Sequence, residues 1–212
     1  MNGTTVMACI EAAHATLKEH TEEIAALDQQ IGDGDHIFNL LRGADALLGL
    51  RADIEAEAFA PALELAASKL LSTVGGSSGP LFYSLLHGMA KASAASGDIA
   101  SVQDAARIFA AGVDAVAQRG KAGIGSKTMM DVLIPVASRL AELADNDASP
   151  EVVLDTLPEV AEQSMLATRD MLATKGRASF LGERSRGHID PGARSSQLMI
   201  DAVCARLAQD RA

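Results

Sequence analysis

The 212-residue sequence has no tryptophan, one tyrosine and five phenylalanines, so aromatics make up 3% of a chain that is 48% apolar. Its core must be assembled from Ala, Leu, Ile, Val and Met, and Ala and Leu are strong helix formers. Cysteine is equally scarce. Cys9 and Cys204 stand near opposite ends with no CxxC spacing, which argues against a disulfide framework or a zinc site and for a reduced compartment. Basic residues are the minority, 18 Lys and Arg against 28 Asp and Glu for a net charge of −10, so there is no electrostatic footprint for nucleic acid. No apolar run is long enough for a membrane span. The start, MNGTTVMACIEAAHATLKEH, is interrupted by Glu11, His14, Lys18 and Glu19 and lacks the pattern of a signal peptide. A cytoplasmic protein is expected. A chain of this length buries roughly 70% of its unfolded surface, enough for a self-sufficient core, and one domain over 1–212 is the reading.

What the sequence does have is helical periodicity. From Thr5 to Leu27 the apolar residues Met7, Ile10, Leu17, Ile24 and Leu27 recur on one face. Further helical patterns follow with Leu40, Leu41, Leu47 and Leu48, then over about 61–71, 80–95, 101–118, 128–143, 149–174 and 193–209. Ser101 with Asp104 reads as a capping box, and Ser149-Pro150-Glu151 as an N-cap before a first-turn proline. Pro135 and Pro158 fall inside helical patterns and are expected to kink or end them. No segment alternates like a strand. The fold expected is all-α, about eight antiparallel helices in one bundle.

Glycine gathers in four loops that also collect Asp, Ser, Thr and Arg, and such loops tend to carry function. The first, LDQQIGDGDH, holds Asp28, Asp33 and Asp35 with Gly32 and Gly34 between them. Three carboxylates so close repel one another unless a cation joins them, and Mg²⁺ takes hard oxygen ligands while leaving positions for phosphate or water. An EF-hand is excluded, because a loop begun at Asp33 meets Ile37, Phe38 and Ala44 at its ligand and glycine positions. The plain alternative makes Asp28 and Asp35 helix caps and Asp33 a solvated charge. The second loop, Val74 to Pro80, offers Gly-freed N–H groups, two hydroxyls and a helix start to an anion, or is simply a flexible connection. The third, Gly120 to Met129, fails as a P-loop, since Ser126 precedes Lys127 and no strand leads in; Lys127 and Thr128 can still meet phosphate or adenine. The fourth, Gly176 to Gly192, is long and carries Arg177, Arg184 and Arg186, suited to a polyphosphate or an acidic partner, or merely solvated.

In order along the chain, LDQQIGDGDH, VGGSSGPL, SKTMMDVLIP and GRASFLGERSRGHIDPGARSS resemble the nucleotide-binding subunit of dihydroxyacetone kinase, the DhaL or DAK2 family. The resemblance implies an eight-helix up-and-down barrel that holds Mg-ADP or Mg-ATP at one end. It implies two Mg²⁺ ions on Asp28, Asp33 and Asp35, through which these residues are catalytic. It also implies nucleotide contacts from His36, Ile37, Phe38, Asn39, Gly76, Ser77, Ser78, Thr128, Met129, Arg177, Asp190, Pro191 and Gly192. Three positions depart from the family pattern: Ile37 for a glycine, Ser126 for an aspartate and Phe180 for a tyrosine. Ile37 is the one expected to restrict the backbone near the nucleotide.

By the same resemblance the ketose is held on a separate substrate-binding subunit, and neither His36 nor His188 has surroundings like that subunit's histidine. The chain is then a kinase subunit whose acidic surface is expected to meet a basic rim on its partner. In a phosphotransferase-system scheme ADP stays bound and a phosphohistidine carrier subunit renews it. In the alternative, ATP exchanges, as in split kinases for erythrulose. From another class, the chain is a nucleotide-sensing interaction module without turnover.

Overall fold

The computed structural model describes residues 1–97 and 99–210. Among them are ten α-helices: α1 (Gly3–Glu19), α2 (Thr21–Ile31), α3 (His36–Leu48), α4 (Arg51–Glu55), α5 (Phe59–Thr73), α6 (Ser78–Ser96), α7 (Val102–Gly120), α8 (Met130–Asp145), α9 (Pro150–Ala167) and α10 (Pro191–Gln209). Two 3-10 segments, Thr168–Asp170 and Arg177–Ser185, lie between α9 and α10. No named strand occurs among the described residues; Asn2 and Ala58 form one isolated bridge. Among the described residues no helix is long and apolar enough to cross a membrane.

Local chemistry explains the boundaries. Ser101 Oγ accepts from the Asp104 N–H at 3.1 Å, while the Asp104 carboxylate accepts from Ser101 Oγ and the Ala100 N–H, the expected capping box. Ser149 Oγ caps α9 through the Val152 N–H, with Pro150 in the first turn. Several expectations need correction. The first pattern is two helices, broken at His20, and α2 runs past Leu27 to Ile31, so Asp28 is helical. Neither Pro135 nor Pro158 ends its helix: each removes one hydrogen bond, while packing of Val132, Val136, Leu157 and Ala161 keeps α8 and α9 continuous. The ninth helix stops at Ala167 rather than Thr174, and the fourth loop is wound into 3-10 turns instead of lacking structure.

Eight helices close a ring in the order α1, α3, α5, α6, α7, α8, α9, α10 and back to α1; α2 packs on α3 and α10, and α4 on α1 and α5. This is the eight-helix barrel expected. Successive ring helices alternate in direction, so α3, α6, α8 and α10 all begin at the end where α1, α5, α7 and α9 finish. The four glycine-bearing loops therefore share one end. Inside, an apolar cavity of about 410 Å³ runs between residues such as Leu17, Leu63, Met89, Leu133 and Ile200. Mostly aliphatic side chains, with only a few rings among them, leave the axis of so wide a ring unfilled.

The α6–α7 crossing is set by glycine: a Cβ on Gly112 would stand 2.6 Å from Met89 Cγ and 2.7 Å from the Leu85 carbonyl oxygen. Gly112→Val forces these helices apart and should lower stability by about 2 kcal/mol. Urea unfolding checks this, and an unchanged midpoint would refute the close crossing.

Candidate functional site

The acidic loop is built around Asp28. It lies buried in the last turn of α2, where its backbone carbonyl accepts from the Gly32 N–H at 2.5 Å and its Oδ2 accepts from the His36 N–H at 3.1 Å. The carboxylate thus joins the end of α2 to the start of α3. Gly32 is needed beside it, because a Cβ there would come within 2.0 Å of Asp28 Oδ1. Asp33 and Asp35 are exposed, and one oxygen from each of the three carboxylates lies within 4.8 Å of the others. Asp35 makes no capping bond, and Asp33 pairs with Arg177 at 2.7 Å. One exposed guanidinium does not offset three converging negative charges. The donor set is all hard oxygen with a cradle kept open by glycine, and it fits divalent cations of the Mg²⁺ kind.

On α3, His36 and Asn39 face the site's walls. His36 Nε2 lies 2.9 Å from Ser195 Oγ, whose hydroxyl donates to the Gly192 carbonyl at 3.1 Å, so α3 and α10 are tied at their first turns. Burial holds the His36 imidazole below its ordinary value, against the opposing pull of Asp28 and Asp35. Asn39 is buried and its Oδ1 faces Gly75 of the second loop. Phe38 is half-exposed. Ile37 corrects an expectation: its side chain is wholly buried with Leu17, Ile24 and Leu40, so it makes no side-chain contact with a nucleotide, and its helical backbone suits a β-branched residue. In the second loop Gly76 and Ser77 are exposed, and Ser77 spends no side-chain bond on capping α6.

Lys127 also departs from expectation. Its side chain is fully buried, and Nζ donates to the carbonyls of Thr168 at 2.6 Å, His188 at 2.5 Å and Arg169 at 3.4 Å. It cannot reach a phosphate without leaving these partners. Burial lowers its pKa, opposed by Asp190, Asp170 and Asp131. Asp131, which sequence reasoning missed, accepts from the Gly125 N–H at 2.5 Å and the Thr128 N–H at 2.8 Å. Its signal was the Thr128-x-x-Asp131 spacing of a capping box. The fourth loop is fastened to its neighbours: the Thr174 N–H donates to the Ser126 carbonyl, Ser185 Oγ accepts from the Ala173 N–H, and His188 Nδ1 lies 2.7 Å from Gln30 Oε1. Thr128 and Met129 face the α10 start, where a Cβ on Gly192 would sit 3.5 Å from the Met129 nitrogen. The structure thus brings the four loops together, with Ile37 and Lys127 turned inward.

Asp190 caps α10 by accepting from the Ala193 N–H at 2.8 Å. Burial pushes its carboxyl up to about 7 from an ordinary 3.8, although the Ala193 N–H and Lys127 favour the charged form. The folded chain therefore keeps a proton that the unfolded chain gives up. This contribution is complete below about pH 4 and is lost as pH rises through 7. Asp190→Asn keeps a capping oxygen without the titration, so its unfolding free energy should fall less than the parent's between pH 5 and 8. Parallel urea titrations at several pH values test this, and equal slopes would contradict it.

Comparison with known proteins agrees with this arrangement. The chain matches the DAK2 domain over residues 30–205. It is 39% identical over 183 residues to the Escherichia coli PEP-dependent dihydroxyacetone kinase, ADP-binding subunit DhaL, covering 86% of this chain and 87% of that one. It is 36% identical over 187 residues to a Listeria innocua protein of the same description, covering 88% of each. L-erythrulose 1-kinase of Mycolicibacterium smegmatis is 31% identical over 210 residues, 96% of this chain but 36% of that one. Among solved structures, the dihydroxyacetone kinase of C. freundii superposes with a TM-score of 0.73 at 21% identity, over 94% of this chain and 34% of that chain, a likeness of fold. With its barrel, its acidic loop and these relatives, the chain belongs to the DAK2 domain family, in the branch of the DhaL kinase subunits.

Proposed function

We propose that this chain is the ADP-binding subunit of a dihydroxyacetone kinase, holding Mg-nucleotide at the loop end of the barrel and passing a phosphoryl group to dihydroxyacetone held on a separate subunit. The observation that carries the reading is the convergence of Asp28, Asp33 and Asp35 within 4.8 Å where four helices begin. Relatives of similar length are named ADP-binding subunits, and the C. freundii kinase has been solved in complex with AMP-PNP and Mg²⁺.

Asp28, Asp33 and Asp35 would hold two Mg²⁺ ions, which when bound supply positive charge to a phosphoryl group in transfer. The rest of the work belongs to positioning. Asp28, fixed by the His36 N–H, sets the place of the nucleotide phosphates relative to α3. Gly76, Ser77 and Ser78 offer N–H and hydroxyl donors at the start of α6. His36, Phe38 and Asn39 line one wall, Ile37 contributing backbone only, while Thr128 and Met129 border the nucleoside. Arg177, Asp190, Pro191 and Gly192 close the far side. No side-chain nucleophile is required: a ketose hydroxyl oxygen bonds to phosphorus as the bond from phosphorus to the nucleotide oxygen breaks.

Relatives of similar length are called PEP-dependent or PTS-dependent, which favours a phosphohistidine carrier as the source that renews a resident ADP. The erythrulose kinases match as a part of much longer chains, which makes exchanging ATP the second reading.

Heat denaturation of the freshly purified chain should release close to one ADP per chain together with Mg²⁺, since a ligand at a thousand times its Kd adds about 4 kcal/mol of stability and resists loss. Asp33→Asn should abolish Mg-dependent ADP binding and ketose phosphorylation in the reconstituted enzyme with helicity unchanged. Full activity in that variant would remove the metal assignment, and a parent chain without turnover alongside a substrate subunit, ketose and donor would leave the sensing module.

A further inference from the structure

Two features of the loop end are left unused by nucleotide binding. Phe180, on the 3-10 segment Arg177–Ser185, is 89% exposed, and Ile124, between α7 and α8, is 67% exposed, the most exposed large hydrophobic side chains among the described residues. Neither stands on slack backbone. Ala178, two residues before Phe180, is buried with Ile31 and Ala173, and Ser185 is anchored to the Ala173 N–H. Asp131 pins Gly125 and Thr128 beside Ile124. Held backbone with presented apolar side chains is how a preorganised contact surface is made.

The charge of the segment that carries Phe180 is reversed relative to the whole. Residues 168–188 hold five Lys and Arg against two Asp and Glu, in a chain of net charge −10. Arg177 and Arg186 are engaged with Asp33 and Glu183. Arg169, Lys175 and Arg184 are exposed, with no side-chain partner among the described residues.

We propose that Phe180 and Ile124, flanked by Arg169, Lys175 and Arg184, are the surface on which the ketose-bearing subunit docks, and that this partner presents an apolar pocket bordered by carboxylates. The proposal rests on the function given above. It reverses the expectation of a basic rim on the partner, because the segment that would meet it, 168–188, is itself basic. That subunit is the occupant on two grounds. The relatives named as whole kinases carry a unit like this one as about a third of a longer chain, 36% of L-erythrulose 1-kinase and 32% of a Dictyostelium discoideum probable dihydroxyacetone kinase, so a further surface normally accompanies the barrel. The patch also adjoins the triad, since Arg177, three residues before Phe180, pairs with Asp33. A second copy of this chain would set two basic rims against each other.

The test pairs this chain with the dihydroxyacetone-binding subunit of the same organism. Titration calorimetry measures subunit affinity and, separately, Mg-ADP affinity of the barrel chain, for the parent, Phe180→Ser with Ile124→Ser, and Arg184→Glu. The apolar double variant should weaken subunit binding at least tenfold and Arg184→Glu several-fold with a shallower salt dependence, while Mg-ADP affinity stays within twofold. Parent-like subunit affinity and turnover in both variants would overturn the surface while leaving the kinase reading intact. Weakened Mg-ADP binding in the isolated chain would also overturn it, by assigning these residues to the nucleotide. A parent chain that binds Mg-ADP yet neither binds the subunit nor yields phosphorylated ketose would remove both readings together.

Discussion

Closing a ring with an even number of antiparallel helices sends half of the helix starts to each end, and the chemistry at the loop end depends on that constraint. Four N-termini, those of α3, α6, α8 and α10, gather where the glycine-bearing loops lie. Each leaves unsatisfied N–H groups and a partial positive charge. In a chain of net charge −10 these oriented backbone dipoles form the natural place for an anion. The acidic loop is compatible with them because Asp28 consumes one such donor, the His36 N–H, and stands as a fixed carboxylate between α2 and α3. Topology supplies the positive field, and three aspartates set a cluster of hard carboxylate oxygens within it.

A ring of helices does not by itself hold four loops in register, and Lys127 does much of that. A buried ammonium is costly unless every proton finds an acceptor. Here the carbonyls of Thr168, Arg169 and His188 accept, and Asp190, Asp170 and Asp131 lie near enough to favour the charge. The third loop is thereby bolted to the fourth, and the fourth to α2 through His188 and Gln30. Such a network is cooperative: each member is satisfied only while the others are present. It stiffens one wall of the loop end through residues, Lys127 first, whose side chains are spent on the protein's own carbonyls.

Much of this was legible in the sequence for physical reasons. Helical periodicity located the ring helices because each buries one stripe, and the Ser101 and Ser149 caps are local chemistry that needs no tertiary context. The break at His20 was not legible, since apolar spacing runs through it from Leu17 to Ile24 and only the non-helical backbone of His20 separates α1 from α2. Lys127 looked like a phosphate ligand because its burial depends on carbonyls forty and sixty residues away. Ile37 looked like an obstacle because a β-branched residue stands where the family pattern has glycine, whereas the helix places its side chain among Leu17, Ile24 and Leu40. The candidate triad could be read from spacing alone, but the ion pair between Asp33 and Arg177 could not, because it joins distant loops.

Aromatic scarcity acquires meaning once the barrel is seen. Filling the axis would call for large rings, yet a cavity of about 410 Å³ remains there, bordered by Phe59, Phe82 and Phe109. The other two phenylalanines, Phe38 and Phe180, stand 52% and 89% exposed at the loop end. Burying a phenylalanine side chain is worth about 1.5–3 kcal/mol, and stability alone would place every ring of so aromatic-poor a chain inside. Two of five are instead held at the mouth of the site on backbone that is firmly anchored. The core's need for volume does not account for that distribution, whereas the recognition proposed for the loop end would.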